Sequence, residues 1–348
     1  HAGVLFSIPS LISQGLDRFF TVLKPLPAGF YGLHHIILTL CFMALCRIKN
    51  PEQLKKYPPG ELGKLIGLDR IPEVRYFRKK IQQITNQSSL DQLHTALFSH
   101  WVEKMPQMFF YIDGHVRVYH GNQANLPKRF VSREKLCLSG TTEFWLNDER
   151  GLPLMVVTSE LNDKIKLAIE QVIPSILREI ITPKTSVNGQ EPNFTIVVDR
   201  EAYEPAWFTH LWETDRVAII TYRKNVKDNW DESLFQKFDL QITNGVVSMQ
   251  LCEMGVQING QWFREIRKLS DTGHQTAVLT THPSLAIQSV AQKMFVRWTQ
   301  ENFFKYMIDN FDFDKMIEYG TESVNQKRTI PNPEYKTQIG RASCRARV

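Results

Sequence analysis

The chain has 348 residues, 43% hydrophobic and 22% charged, which is enough apolar material for two or three packed domains and too much for a disordered chain. Lysine and arginine number 42 against 36 acidic residues, a net charge of +6 that permits a polyanionic partner without demanding one. None of the five cysteines forms a CxxC pair or joins a His cluster at zinc spacing, which argues against a disulfide framework and a structural zinc and favours a reducing, cytoplasmic setting.

The chain starts at His1 with no charged segment ahead of an apolar core, so no signal peptide is expected and the natural start is expected to lie upstream. Residues 1–104 read as an N-terminal helical region. Ile12 to Leu23 has helical apolar spacing broken by Pro25 and Pro27. His34 to Ile48 reads as a buried helix, because its most apolar run, Ile36 to Cys46, is about eleven residues against the roughly 20 needed to cross a bilayer.

Pro59 to Ile66, the turn Gly67-Leu68-Asp69, and Pro72 to Ile81 have helix-turn-helix spacing. In such a unit the second helix can enter the major groove, which makes Arg75, Arg78, Lys79 and Lys80 candidate DNA contacts. A solvated basic face on a structural hairpin is the plainer reading of the same residues. A further helix is predicted over Leu90 to Val102.

From Met105 the texture becomes β. Phe109 to Tyr119 is rich in aromatic and β-branched residues and carries Asp113 in its middle. Strands are also predicted over Arg129 to Leu138, Glu143 to Leu146 and Leu152 to Thr158. A helix over Asp163 to Ile181 precedes the strand Phe194 to Asp199, which ends on a second acid. A helix from Pro205 to Glu213 and a strand from Val217 to Tyr222 follow. Residues 224–283 read as a β-rich insertion punctuated by Asn244-Gly245, Asn259-Gly260 and Asp271-Thr272-Gly273.

A helix from Pro283 to Asn310 carries Glu301, with Arg297 one turn before it and Lys305 one turn after. Asp113, Asp199 and Glu301 are the candidate catalytic and metal-binding residues, since strand-end and helix carboxylates are the oxygen donors a hard divalent ion takes. The plainer alternative is ordinary ion pairing, with Arg117 near Asp113, Arg200 next to Asp199, and Arg297 and Lys305 around Glu301. His115 is expected to pack rather than ligate.

The blocks Tyr111-Ile112-Asp113-Gly114-His115, Val198-Asp199-Arg200-Glu201 and Arg297 to Tyr306 resemble the DDE-type transposases of bacterial insertion sequences. The resemblance covers about Pro27 to Tyr335. It implies an α/β fold: an RNase H-like mixed sheet with flanking helices in residues 105–223 and 284–320, a β-rich insertion at 224–283, and an N-terminal helical domain.

It further implies two Mg²⁺ or Mn²⁺ ions, DNA as partner (terminal inverted repeats and target), no membrane, and room for a homodimer in the DNA complex. The activity implied is metal-dependent cutting at the repeats and transfer of the 3′ ends. The alternative is a catalytically inactive, sequence-specific DNA-binding protein derived from such an element. The family's Tyr, Arg, Glu, Lys signature falls on Met294, Arg297, Glu301 and Ile308. Arg and Glu match, and Lys305 is the expected stand-in for the missing lysine, which makes Arg297 and Lys305 further candidate DNA contacts. By the same resemblance Trp230, Trp262 and Trp298 are candidates for stacking on a base. The tail, residues 321–348, ends in a stretch, 339–348, that resembles a translated sequencing adapter and is read as non-native.

Overall fold

The computed structural model describes residues 2–105, 108–124, 126–132, 134–179, 191–242, 245–295 and 298–314, with 241, 242 and 298–301 described by backbone alone. Its N-terminal part is helical: a 3-10 turn at Ala2–Ser7, then α1 (Ile8–Ser13), α2 (Leu16–Val22), α3 (Leu33–Leu45), a 3-10 turn at Pro51–Lys56, α4 (Pro59–Leu65), α5 (Val74–Gln87) and α6 (Leu90–Val102). The run read as one helix from Ile12 is divided because Gly15 takes a left-handed φ of 98° between α1 and α2. Helix α5 starts at Val74 with Glu73 as its N-cap, two residues later than the sequence reading.

These helices share one core, in which Ile36 and Phe77 are fully buried. Gly63 on α4 lies so close to the Arg70 backbone that an added Cβ would sit 2.5 Å from its Cα. Only glycine lets α4 approach the loop that leads into α5 this closely. Helix α6 joins the two halves of the molecule: Leu93 and Leu97 belong to the helical core, while Phe98 and Val102 belong to the core beneath the sheet.

The strands are β1 (Phe109–Val118), β2 (Lys128–Val131), β3 (Leu136–Asn147), β4 (Pro153–Glu160), β5 (Phe194–Val198), β6 (Val217–Tyr222), β7 (Gln236–Ile242), β8 (Gly245–Ile258), β9 (Gln261–Leu269) and β10 (Gln275–Thr280). Helices α7 (Ile165–Glu179), α8 (Pro205–Asp215), α9 (Ile287–Phe295) and α10 (Trp298–Phe311) flank them. The fold is mixed α/β. The stretch read as one strand, Arg129 to Leu138, is two strands with a turn between them, where Lys135 takes a φ of 53°. The helix expected from Pro283 begins at Ile287. Positions 296 and 297, between α9 and α10, lie outside the described residues.

At the centre, β1 pairs antiparallel with β3 and parallel with β5, and β5 pairs parallel with β6. Strand β4 pairs with β3 on the far side. The strands of 224–283 continue the same sheet: β10 pairs with β6, then β9, β8 and β7 follow in antiparallel order. A two-residue turn at Asn259-Gly260, both with positive φ (51° and 83°), links β8 to β9 as Asn-Gly hairpins do.

Side-chain alternation along β1 sorts the two faces. Phe110 and Ile112 point into the core shared with α6, α7 and α8, whereas Phe109 and Tyr111 point into the core shared with Val290, Ala291 and Met294 of α9.

Candidate active site

The parallel register of β1 and β5 runs Phe109↔Thr195, Phe110↔Ile196, Tyr111↔Val197 and Ile112↔Val198. The next residue on each strand is an acid, so Asp113 and Asp199 stand side by side on neighbouring strands, whose axes lie about 4.8 Å apart in a sheet. By alternation both follow Tyr111 and Val197 onto the face covered by α9. Both are half-buried.

Each carboxylate also shapes its own backbone. Asp113 Oδ1 accepts from the Gly114 amide at 2.9 Å, and Asp199 Oδ1 accepts from the Arg200 amide at 2.6 Å, capping the 3-10 turn Arg200–Ala202. The ion pair considered between Asp113 and Arg117 finds a competitor, because the Arg117 guanidinium lies 3.2 Å from Glu143 on β3. Burial pushes the Glu143 carboxyl above its ordinary value, and Arg117 pulls it back.

Helix α10 lies against this same part of the sheet. Phe304 stacks on His115, with ring centroids 5.1 Å apart and planes 15° apart, and Phe303 meets Trp145, the strand partner of Asp113, at 5.8 Å. His115 is therefore a buried packing residue, as expected. Position 301 is one helical turn before Phe304. The Glu301 side chain lies outside the described residues, as does Arg297, while Lys305 is exposed on α10. Among the described residues no three His, Cys, Asp or Glu side chains gather as a metal-binding group, so Asp113 and Asp199 are the part of the expected triad whose placement is described.

Asp199 opens onto a cleft of about 770 Å³ walled by Arg200, Arg223, Lys224, His274 and Phe295 among others. A groove of about 920 Å³ in the helical part, walled by Tyr31, Tyr57, Tyr76, Lys55 and Arg70, is larger but contains neither Asp113 nor Asp199. Asp199 as a hard oxygen donor in this cation-walled cleft, with Asp113 on the neighbouring strand, suits a divalent ion and a phosphodiester.

The four basic candidates on α5 part company. Arg75 and Lys79 are exposed, one turn apart. Arg78 is turned to Glu52 in a two-pronged pair, both contacts 2.7 Å, which holds the Glu52 carboxyl below its ordinary value. Lys80 is only 5% exposed, with its ammonium 5.3 Å from the Tyr76 ring centre. It is a buried residue of the helical unit and not part of a solvent-facing basic surface.

Of the tryptophans, Trp230 packs under Arg267 at 4.1 Å, Trp262 is 71% exposed, and the Trp298 side chain lies outside the described residues. Sequence reasoning missed Arg223 and the buried ion cluster behind it. The signal was available: Glu265 and Arg267 fall on one face of a strand otherwise bounded by Phe263 and Ile266.

No helix among the described residues is long and apolar enough to cross a membrane. No curated protein matches the sequence. A family model described as "Transposase protein" matches residues 1–346, a span that runs into the 339–348 stretch, which itself lies outside the described residues. Since that match takes in both acidic strands, α10 and the helical N-terminal part, the chain belongs to this transposase family.

Proposed function

We propose that the chain cuts DNA at the terminal inverted repeats of a transposable element and transfers the 3′ ends to target DNA, using Asp113, Asp199 and Glu301 as the catalytic carboxylates of an RNase H-like domain. The observation that carries this reading is the β1–β5 register, which makes Asp113 and Asp199 neighbours on the face that α9 covers. Support for the RNase H-like assignment comes from the central strand order β4-β3-β1-β5-β6, with β3 antiparallel to β1 and β5 parallel to it. Position 301 lies on the helix whose Phe304 and Phe303 pack over His115 and Trp145, which supports reading Glu301 as the third carboxylate.

Bound by these acids, two Mg²⁺ or Mn²⁺ ions would supply an activated water or 3′-hydroxyl and neutralise the leaving oxygen of an in-line displacement. The main-chain register sets the neighbouring backbone positions from which the two strand carboxylates would be presented, so little main-chain movement would be needed when DNA arrives. Arg200, Arg223 and Lys224 give the cleft positive walls for phosphates. Arg75 and Lys79, exposed on α5, offer a second contact with the duplex.

The test is substitution of each acid by its amide. Asp113→Asn, Asp199→Asn and Glu301→Gln are each expected to abolish Mg²⁺-dependent cutting and joining while the folded protein still binds terminal-repeat DNA in EDTA. Cutting at the unmutated rate by purified, folded Asp113→Asn protein would overturn the assignment. If the unmutated protein binds the repeat but never cuts with Mg²⁺ or Mn²⁺, the inactive DNA-binding alternative takes its place.

A further inference from the structure

Behind the cleft lies an ion cluster unusual in its depth. Glu265 on β9 and Arg267, two residues along the same strand face, are both fully buried. Glu265 accepts from Arg267 Nε at 2.6 Å and, with its other oxygen, from Arg223 Nη1. Arg267 in turn donates to the Asp228 carbonyl at 2.7 Å and the Asp228 carboxylate at 3.0 Å, and lies over Trp230. Gln275 closes the loop on both sides, accepting from the Trp230 amide at 2.9 Å and donating to the Trp230 carbonyl at 2.7 Å.

A buried ion group of this kind is seldom worth its desolvation for stability alone, because apolar residues of similar volume do as well or better. What it does here is geometric. It anchors the segment from Arg223 to Trp230, which follows β6 and supplies Lys224, Asn225 and Val226 to the cleft wall. Arg223 sits at the boundary: its backbone amide is bonded to the Ala277 carbonyl at 2.9 Å, its guanidinium is held by Glu265, and its side chain keeps 18% exposure toward the cleft that contains Asp199.

We propose that Arg223 contacts a DNA phosphate in the cleft beside Asp199 and that Glu265 is its positioning residue, fixing the guanidinium from behind. This rests on reading that cleft as the DNA-cutting site. A guanidinium tied at one end by a carboxylate presents its remaining N–H groups in a fixed plane, which suits two-point contact with phosphate oxygens and avoids ordering a long side chain on binding. Tyr203 also touches Arg223, so the head group is bounded on two sides.

The test uses the full chain and a short duplex oligonucleotide of arbitrary sequence, with affinity measured in EDTA over a salt series. Arg223→Gln is expected to weaken binding several-fold and to lower the log–log salt slope by about 0.9, the value of one lost phosphate contact. Arg223→Lys keeps the charge and is expected to restore the slope. Glu265→Asp also keeps the charge but withdraws the carboxylate by one carbon. It is expected to weaken binding, and the loss is expected to vanish in the Arg223→Gln background, as it must if Glu265 acts through Arg223.

An unchanged slope in Arg223→Gln protein, or losses from the two substitutions that simply add, would overturn the proposal. Should Glu265→Asp fail to fold, the comparison of Arg223→Gln with Arg223→Lys decides it. Mg²⁺-dependent cutting by the unmutated protein is read separately: its absence would remove the catalytic assignment and leave the phosphate contact standing.

Discussion

His282 shows how a single side chain ties the sheet to the chain leading into α9. It follows β10, is 6% exposed, and its ring lies parallel to that of Phe109 with centroids 6.5 Å apart. Its Nδ1 accepts from the amides of Leu285 at 3.1 Å and Ser284 at 3.4 Å, turning the chain toward α9. An imidazole that accepts at Nδ1 is unprotonated there, and burial lowers its proton affinity further, with Arg264 adding to the effect and Glu191 opposing it. The folded-state value lies below the ordinary 6.5, so the unfolded chain binds the proton first. Stability from this group is complete above the ordinary value and is lost as pH falls through the folded-state value. The melting temperature is therefore expected to drop on acidification below the ordinary imidazole value, and His282→Gln is expected to flatten that part of the profile. An identical acid profile in the variant would assign the loss to other groups.

Among elements, α5 carries the clearest test. With Arg78 engaged by Glu52 and Lys80 buried, Arg75 and Lys79 are the members of its basic set that face solvent. Replacing both with alanine is expected to reduce the salt slope of DNA binding by up to about 1.8, two phosphate contacts' worth, whereas Lys80→Met is expected to leave the slope unchanged. A fall in slope with Lys80→Met and none with the double variant would reverse the assignment.

Lys80 stands in the sequence reading with the basic set as a candidate DNA contact, although its burial was legible there. Phe77, Lys80 and Ile84 fall on one helical stripe, and its two apolar members are buried. The strands and the Asn259-Gly260 hairpin were legible for the same reason, because apolar alternation and turn chemistry are local. Asp113 and Asp199 are expected in one metal site, but their side-by-side placement was not legible in the two strands themselves. It depends on the relative register of β1 and β5, set by the packing of α7 between them in sequence and by the whole core beneath the sheet. Glu265 and Arg267 could be read onto one strand face, but their meeting with Arg223 depends on β10 lying between β9 and β6.

At the scale of the molecule, the helical N-terminal part and the sheet meet a second time, away from α6, at the C-terminal end of α10. Arg47, in the left-handed conformation just past α3, places its guanidinium 4.6 Å from the Phe311 ring centre and donates to the Tyr306 hydroxyl. Lys49 donates to the Asp309 carbonyl at 3.2 Å and pairs with Asp312 at 2.9 Å. Both cations lie at the helix C-terminus, facing the negative end of its dipole, and Lys49 also meets an exposed carbonyl, which stabilises the last turn. The other end of α10 carries position 301, so the grip on one end bears on the placement of the other along a single rigid element. These contacts together are worth roughly 2 kcal/mol, equivalent to on the order of a thirtyfold change in local opening. Arg47→Ala combined with Lys49→Ala is thus expected to speed hydrogen exchange of α10 amides by about that factor and to slow Mg²⁺-dependent cutting, while DNA binding in EDTA through α5 persists. Unchanged α10 exchange in the folded double variant would show that the helix is held by its aromatic contacts to His115 and Trp145 alone. Faster exchange with undiminished cutting would separate the order of α10 from the chemistry and count against Glu301 as its third carboxylate.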